Sequence, residues 1–576
     1  MCAVNGIYAY HRSAPHVDPV EAATTRDAMT RRGPDDCGLW ESADHRLVLG
    51  HRRLSIIDLS EAGRQPMVSG CGRYVLCFNG EIFNYGELRE ELTADGERFR
   101  SSSDSEVLLK LLSRHGSDAL RRLRGMFALA FWDQQTRELL LARDHFGIKP
   151  LYVADDGWQL RFASQVKALL TSRAVSRELD PAGQAGFLLT GSIPEPFTLY
   201  RAIRPLPAGH YQRCGPTGPA APVSFVKEPS NAKENRPADL KAAVEDSIRA
   251  HLVADVPVGV FLSAGIDSAV LAALASRQNP KLEALTVGFA EYRNSDRDEV
   301  TLARQIAGRL GVHHQVSYYA REQFERDLPQ VLSAMDQPSI DGLNTWIVAG
   351  AAAKAGWKTA LSGLGADELF AGYPSFSDVP RWHRQASWAS WVPGLGRLLR
   401  TALRPICSVL GLSPKAAGML EYGRSLGGAY LLKRGLFMPW ELPELMGRPA
   451  AREGLRRLNL VGRMDQQAGR ESHPAAAVSA LEQGFYLKNQ LLRDADWAGM
   501  SHSLEIRVPY VDTSLQQLAG GVRFNKNDLL RTAADLLPQM LFERPKTGFT
   551  TPLDQWRGHP GAGWARHWAQ ELQCRF

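Results

Sequence analysis

Near residue 207 the hydrophobic pattern of this 576-residue chain changes period, and that change constrains its fold more than any other feature. Up to that point short apolar runs, at 75–78, 126–131 and 138–142, alternate with Gly, Pro and Asn/Asp turns, as stacked sheets require. From Ala238 the order becomes helix, strand, helix: 240–252 is amphipathic, 257–262 is an apolar strand and 268–276 is helical, with further strands at 282–289 and 358–361. Strands alternating with helices predict a parallel doubly wound sheet. Beyond Tyr373 the pattern is mostly helical. The stretch 207–237, rich in Pro, Gly and Ala, reads as a linker or as a return strand at a domain edge. A chain of this length exceeds one hydrophobic core. The expected division is 1–210, a linker at 211–237, and 238–576.

Composition narrows the function classes. Hydrophobic residues make up 44% and charged residues 23%, the values of ordinary globular protein. The net charge of +6 suits anionic small molecules, but the cations are spread along the chain and accompany no nucleic-acid motif, so nucleic acid is not an expected partner. Seven cysteines, without CxxC spacing, read as reduced thiols in a cytoplasmic protein. No secretory leader is read at the start, and no run of 18 apolar residues occurs. The basic, aromatic segment 381–404 would suit a membrane surface, yet apolar residues at helical spacing usually mean packing. It is expected to be a helix pair covering the second half rather than a membrane contact.

Cys2 carries the first chemical signal. Removal of Met1 would leave a cysteine with a free α-amine, which titrates near pH 7.7–8.0 and can take the thiol proton. Then follow, in order, Arg31-Arg32-Gly33-Pro34-Asp35, His51-Arg52-Arg53-Leu54-Ser55-Ile56, Asn79-Gly80-Glu81-Ile82-Phe83-Asn84 and Ser103-Asp104-Ser105-Glu106. This set resembles the class II glutamine amidotransferases, most closely the glutaminase part of the asparagine synthetase family. The resemblance implies an N-terminal nucleophile fold, an αββα sandwich. It also implies that Cys2 attacks the glutamine amide, that Asn79 and the Gly80 N–H form the oxyanion hole, and that Arg53, Glu81 and Asp104 hold the amino acid. The Arg143–Tyr152 signature is expected to be structural, and His145 is not carried over as catalytic.

The second signal lies where the apolar strand at 257–262 runs into Ser263-Ala264-Gly265-Ile266-Asp267-Ser268 and a helix, a turn of small residues that exposes backbone N–H groups. It lacks the GK[ST] ending of a Walker A loop and resembles the pyrophosphate loop of ATP pyrophosphatases. Ala264 departs from the usual glycine, at a cost of ~1 kcal/mol if the position needs positive φ. A second such turn, Ser362-Gly363-Leu364-Gly365-Ala366-Asp367-Glu368, resembles the matching asparagine synthetase motif, and 501–512 and 546–549 complete the likeness. What the resemblance implies is ATP bound by Leu262, Ser263, Gly265, Asp267, Ser268, Val287, Gly288, Ser362 and Gly363, with Mg2+ on Asp267 and Asp367. Lys546 would neutralise the α-phosphate, and Glu505 with Arg507 would form a structural ion pair.

The expected activity is therefore glutamine hydrolysis at Cys2 and transfer of ammonia, through an apolar tunnel, to an adenylated carboxylate. Aspartate is the first expected acceptor, giving asparagine with release of AMP and PPi. Two departures bear on it: Leu364 replaces an acidic residue common in the family, and 336–346 has no arginine for an α-carboxylate. The alternatives are the same chemistry on a uronic acid or peptide carboxylate, and a non-catalytic scaffold. A homodimer is compatible with all of these.

Overall fold

A computed structural model describes residues 2–226, 237–391, 394–409, 414–543, 550–558 and 563–576. The first half is built on strands β1 (Ala3–Tyr8), β2 (Leu47–Arg53), β3 (Tyr74–Ile82), β4 (Gly125–Asp133), β5 (Glu138–Arg143) and β6 (His210–Gly215), with helices α1 (Pro19–Asp27) and α2 (Asp104–His115). β1 and β2 pair antiparallel inside a six-stranded sheet, while β3, β4, β5 and β6 follow one another across a seven-stranded sheet. The near-continuous apolar runs have a simple cause, since both faces of each sheet are covered. On β3, Val75 and Cys77 face Val4, Leu47 and Leu49 of the other sheet. Its alternate residues Leu76 and Phe78 face Val107, Leu108 and Leu111 of α2. On the far side Ala22 of α1 packs on Ile7 and Val48, so the layers run helix, sheet, sheet, helix.

β6 pairs with β5 through Tyr211↔Ala142, and Val223–Ser224 folds back on β6. The 207–237 stretch thus contributes sheet as far as Ser224, and residues 227–236 lie outside the described part.

The second half contains α3 (Pro237–His251), β7 (Val258–Phe261), α4 (Ile266–Gln278), β8 (Glu283–Phe289), α5 (Val300–Leu310), β9 (His313–Tyr319), α6 (Gly342–Lys354), β10 (Thr359–Leu361), α7 (Ser375–Ala386), α8 (Leu395–Val409), α9 (Leu492–Met500) and β11 (Glu505–Arg507). Its five strands are all parallel, in the order β9-β8-β7-β10-β11. The chain moves outward from β7 in one direction and later returns to build β10 and β11 on the other side. The switch point falls between β7 and β10, where a doubly wound sheet opens a crevice at its carboxyl edge. A π-helix, Glu482–Leu491, runs directly into α9, and such segments often accompany functional sites.

Within 381–404 the described residues are helical on both sides of 392–393, in α7, in a 3-10 turn at Ser387–Trp391 and in α8, but their packing is incomplete. Ala386 and Ala389 are buried, whereas Trp388, Leu398 and Leu403 are exposed.

Candidate active site

β1 starts immediately after Cys2, so the sheet fixes the residue's backbone, and the Cys2 N–H donates to Asn79 Oδ1 at 2.9 Å. That bond turns the Asn79 amide nitrogen the other way. Nδ2 is buried without a hydrogen-bond acceptor among the described residues, an unspent donor beside the thiol's backbone. Such a donor costs stability in the resting protein and is worth most where negative charge develops. Gly80 must be glycine for steric reasons, because a Cβ there would lie 2.0 Å from the Met126 carbonyl oxygen on β4. Burial pushes the Cys2 thiol above its ordinary pKa, which leaves it dependent on a local base.

The three expected glutamine-binding residues are all buried. Asp104 starts α2, where its Oδ2 accepts from the Ile82 N–H at 3.0 Å, and burial pushes its carboxyl up to about 6. Burial and then the neighbouring Glu505 carboxylate push Glu81 well above the usual carboxylate range. Its Oε1 lies 3.5 Å from Arg507 Nη2, and its Oε2 has no hydrogen-bond partner among the described residues. Arg53 is anchored by carbonyl oxygens, Nη1 to Ser60 at 2.8 Å and Nη2 to Ile57 and Asp58. Glu81 thus keeps one carboxylate oxygen unpartnered among the described residues, while Asp104 also accepts from Ser105 Oγ at 3.4 Å. His51 is not part of the chemistry: its Nε2 sits 3.0 Å from the Phe78 carbonyl oxygen, and burial holds its pKa down to about 3.

At the carboxyl edge of the parallel sheet the two small-residue turns meet. The first closes on itself, with Ser263 Oγ 2.8 Å from Ser268 Oγ and accepting from the Gly265 N–H at 3.1 Å. No side chain caps α4, so its first N–H groups remain open to an anion. Ala264 is absent from the positive-φ residues, so its departure from glycine carries no backbone strain. The second turn hangs from β11 through Ser362 N–H to the Arg507 carbonyl oxygen, 2.8 Å. A Cβ on Gly363 would stand 3.2 Å from Asp267 Cβ, so one turn touches the other.

Lys526, which the sequence reading passed over, links the two expected metal ligands. Its Nζ pairs with Asp267 Oδ1 and lies 2.9 Å from Asp367 Oδ1. Burial works against its charge, but the two carboxylates outweigh burial and raise its pKa. Two carboxylates converging on one cation form an oxygen donor set that also suits Mg2+, which takes one or two protein carboxylates plus phosphate oxygens. Val287 and Gly288, at the end of β8, line an adjoining cavity of about 440 Å3 with Asp341 and Asn344. Leu262 is buried at the end of β7, its carbonyl oxygen accepting from Thr286 Oγ1. Lys546 lies outside the described residues.

The two sites belong to different halves, and the contact between the halves is both ionic and apolar. Arg32 donates through Nε to the Cys2 carbonyl oxygen at 3.3 Å and forms a bidentate pair with Asp496 on α9, at 2.6 and 2.8 Å. Beside it Phe83, Met126 and Ile148 of the first half pack with Leu364, Leu487 and Val508 of the second. Leu364 is thus one wall of an apolar seam. Arg32 stood within a quoted motif, but nothing local in the sequence marked Asp496.

Comparison with known proteins agrees with this two-part construction. Residues 1–220 match the glutamine amidotransferase domain family, and residues 239–575 match the asparagine synthase family. A Mycobacterium tuberculosis protein named putative asparagine synthetase [glutamine-hydrolyzing] is 33% identical, across 96% of this chain and 88% of its own length. Asparagine synthetase [glutamine-hydrolyzing] 1 of Bacillus subtilis is 31% identical, across 100% of this chain and 90% of its own length. Asparagine synthetase B of Escherichia coli is 32% identical over 66% of each chain. With both halves matched in order and relatives aligned along nearly the whole length, the chain belongs to the asparagine synthase family and carries a glutamine amidotransferase domain in front.

Proposed function

We propose that this protein is a glutamine-dependent, ATP-consuming ligase that makes asparagine from aspartate and releases AMP and PPi. The observation that carries the reading is the apolar seam that joins the half holding the Cys2–Asn79 pair to the second anion-cradling turn, which touches the first. Its relatives' names point the same way. In the first half, an N-terminal nucleophile domain, the α-amine of processed Cys2 takes the thiol proton and sulfur attacks the glutamine amide. Asn79 Nδ2 and the Gly80 N–H receive the oxyanion, and collapse of the adduct expels ammonia and leaves a thioester. Water releases glutamate and restores the thiol. Arg53 holds the substrate carboxylate, while Glu81 and Asp104 hold its ammonium.

Ammonia crosses beside Leu364, where apolar walls disfavour protonation to ammonium. In the second half Ser263, Gly265, Ser268, Ser362 and Gly363 hold the phosphates of ATP, and Leu262, Val287 and Gly288 border the adenine. Mg2+ held by Asp267 and Asp367 would neutralise phosphate charge. The acceptor carboxylate attacks the α-phosphorus, PPi leaves, and ammonia then displaces AMP to form the amide. Lys546 is the cation for the α-phosphate.

Asp341 opens a second reading of the acceptor. It lines both the 440 Å3 cavity and a neighbouring one of about 230 Å3, and it forms no ion pair among the described residues. Its carboxylate accepts from Tyr486 Oη at 3.3 Å and from Asn344 Nδ2 at 3.4 Å. A carboxylate there suits the ammonium of aspartate, and equally the hydroxyls of a larger acid that reaches the second cavity. PPi release measured with aspartate and with a hexuronic acid separates the two. For the whole scheme, Cys2→Ala is expected to abolish glutamine-supported synthesis and keep synthesis from ammonium salts; loss of both would break the two-site scheme.

A further inference from the structure

Between Asp378 and Glu421 the chain runs 42 residues without a carboxylate, in a protein that has 62 of them. The same stretch carries six cations, Arg381, Arg384, Arg397, Arg400, Arg404 and Lys415. Two are spent on the bounding acids: Arg381 Nη2 lies 2.9 Å from Asp378, and Arg400 Nε lies 2.5 Å from Glu421. Arg384 and Arg397 pair with no carboxylate among the described residues and are exposed.

The apolar side chains of this stretch are turned the wrong way for packing alone. Trp388 is 53% exposed, Leu398 67% and Leu403 37%, a quarter of the twelve exposed large hydrophobic residues of the described structure within 16 positions. Scattered single leucines at a surface need no explanation, but a cluster does. On α8 the inner side is fixed by Gly396, where a Cβ would stand 2.6 Å from Glu421 Cα, and by Arg400, whose guanidinium lies 4.8 Å from the Trp440 ring. Leu398 and Ala402, one turn apart, therefore point outward with Leu403 beside them. None of the described helices is long and apolar enough to cross a membrane, so a helix of this kind would lie on one.

We propose that α8 docks on an anionic lipid surface, with Leu398 and Leu403 entering the headgroup region, Trp388 joining them from the preceding turn, and Arg397 and Arg384 facing the lipid phosphates. Complementarity of charge selects this occupant: an acid-free basic helix gains attraction from each phosphate it approaches, while its leucines leave water.

The test is flotation of the full-length protein with vesicles of phosphatidylcholine alone and with vesicles containing about one-third phosphatidylglycerol. Binding to the mixed vesicles is expected to exceed binding to the zwitterionic ones by ~10-fold and to fall as salt rises. The double variant Leu398→Asp with Leu403→Asp, and separately Arg384→Glu with Arg397→Glu, should each lose ~10-fold or more of that binding. Ammonia-supported PPi release in vesicle-free solution should stay at the parent level in both, which reports that they fold and does not depend on the surface. No binding of the parent to anionic vesicles would overturn the proposal, as would binding indifferent to both double variants. A self-association that Leu398→Asp dissolves, seen by light scattering without vesicle binding, would instead assign the face to a second copy of the chain and also overturn it.

Discussion

Asn79 holds two roles with one amide. Its oxygen fixes the Cys2 backbone, and its nitrogen is left as a buried donor without an acceptor among the described residues. Replacing it with alanine should therefore reduce kcat for glutamine hydrolysis by ~100- to 1,000-fold, the usual loss for one oxyanion donor, with a smaller change in KM. Steady-state glutamate release checks this. Asp104 supplies a pH dependence whose sign follows from its environment. Burial favours its neutral form, so the carboxyl stays protonated up to about pH 6 and can hold an ammonium only above that. The KM for glutamine is expected to rise as pH falls through about 6, while ammonia-supported synthesis lacks that limb. An identical acid limb in Asp104→Asn would assign the titration to another group.

At the scale of elements, the loops after β7 and β10 flank the point where strand order reverses, and Lys526 ties them together. Lys526→Met keeps the length of the side chain and removes the cation. Asp267 and Asp367 would then repel, and PPi release is expected to fall by ~10-fold or more while glutaminase activity in the other half persists. β7 and β10 were legible because strands covered on both faces are apolar along their length. β9 and β11 were not. β9 is a half-exposed edge strand beginning with two histidines, and β11 is only Glu-Ile-Arg, whose charges are solvated by each other. The loops could be read because a turn that cradles an anion is written in consecutive residues. Lys526 could not be read because it reaches Asp267 across 259 positions of chain. For the basic segment 381–404 the sequence posed membrane surface against packing and the expectation fell on packing, because periodicity gives a helix its apolar side but not what that side meets.

Across the whole molecule, the halves communicate through Arg32, which grips the Cys2 carbonyl with one nitrogen and Asp496 with the other two. Asp496→Asn should leave a buried guanidinium short of its counter-charge, at about 3 kcal/mol. The expected result is a lower Tm and a glutamine-supported rate that falls more than the ammonia-supported rate, read as fewer amides formed per glutamate released. Equal losses in both rates would make the pair merely structural.

The same bridge bears on modularity. The nucleophile's own carbonyl is steadied by an arginine whose orientation is set from the opposite half, and Phe83, Met126 and Ile148 find their cover there too. A fragment cut off after Ser224 would wet that wall and release the arginine. Recombination could exchange such a glutamine-splitting unit between enzymes only if a partner surface with a matching acid and matching apolar wall came along, so the two faces of this interface must change together.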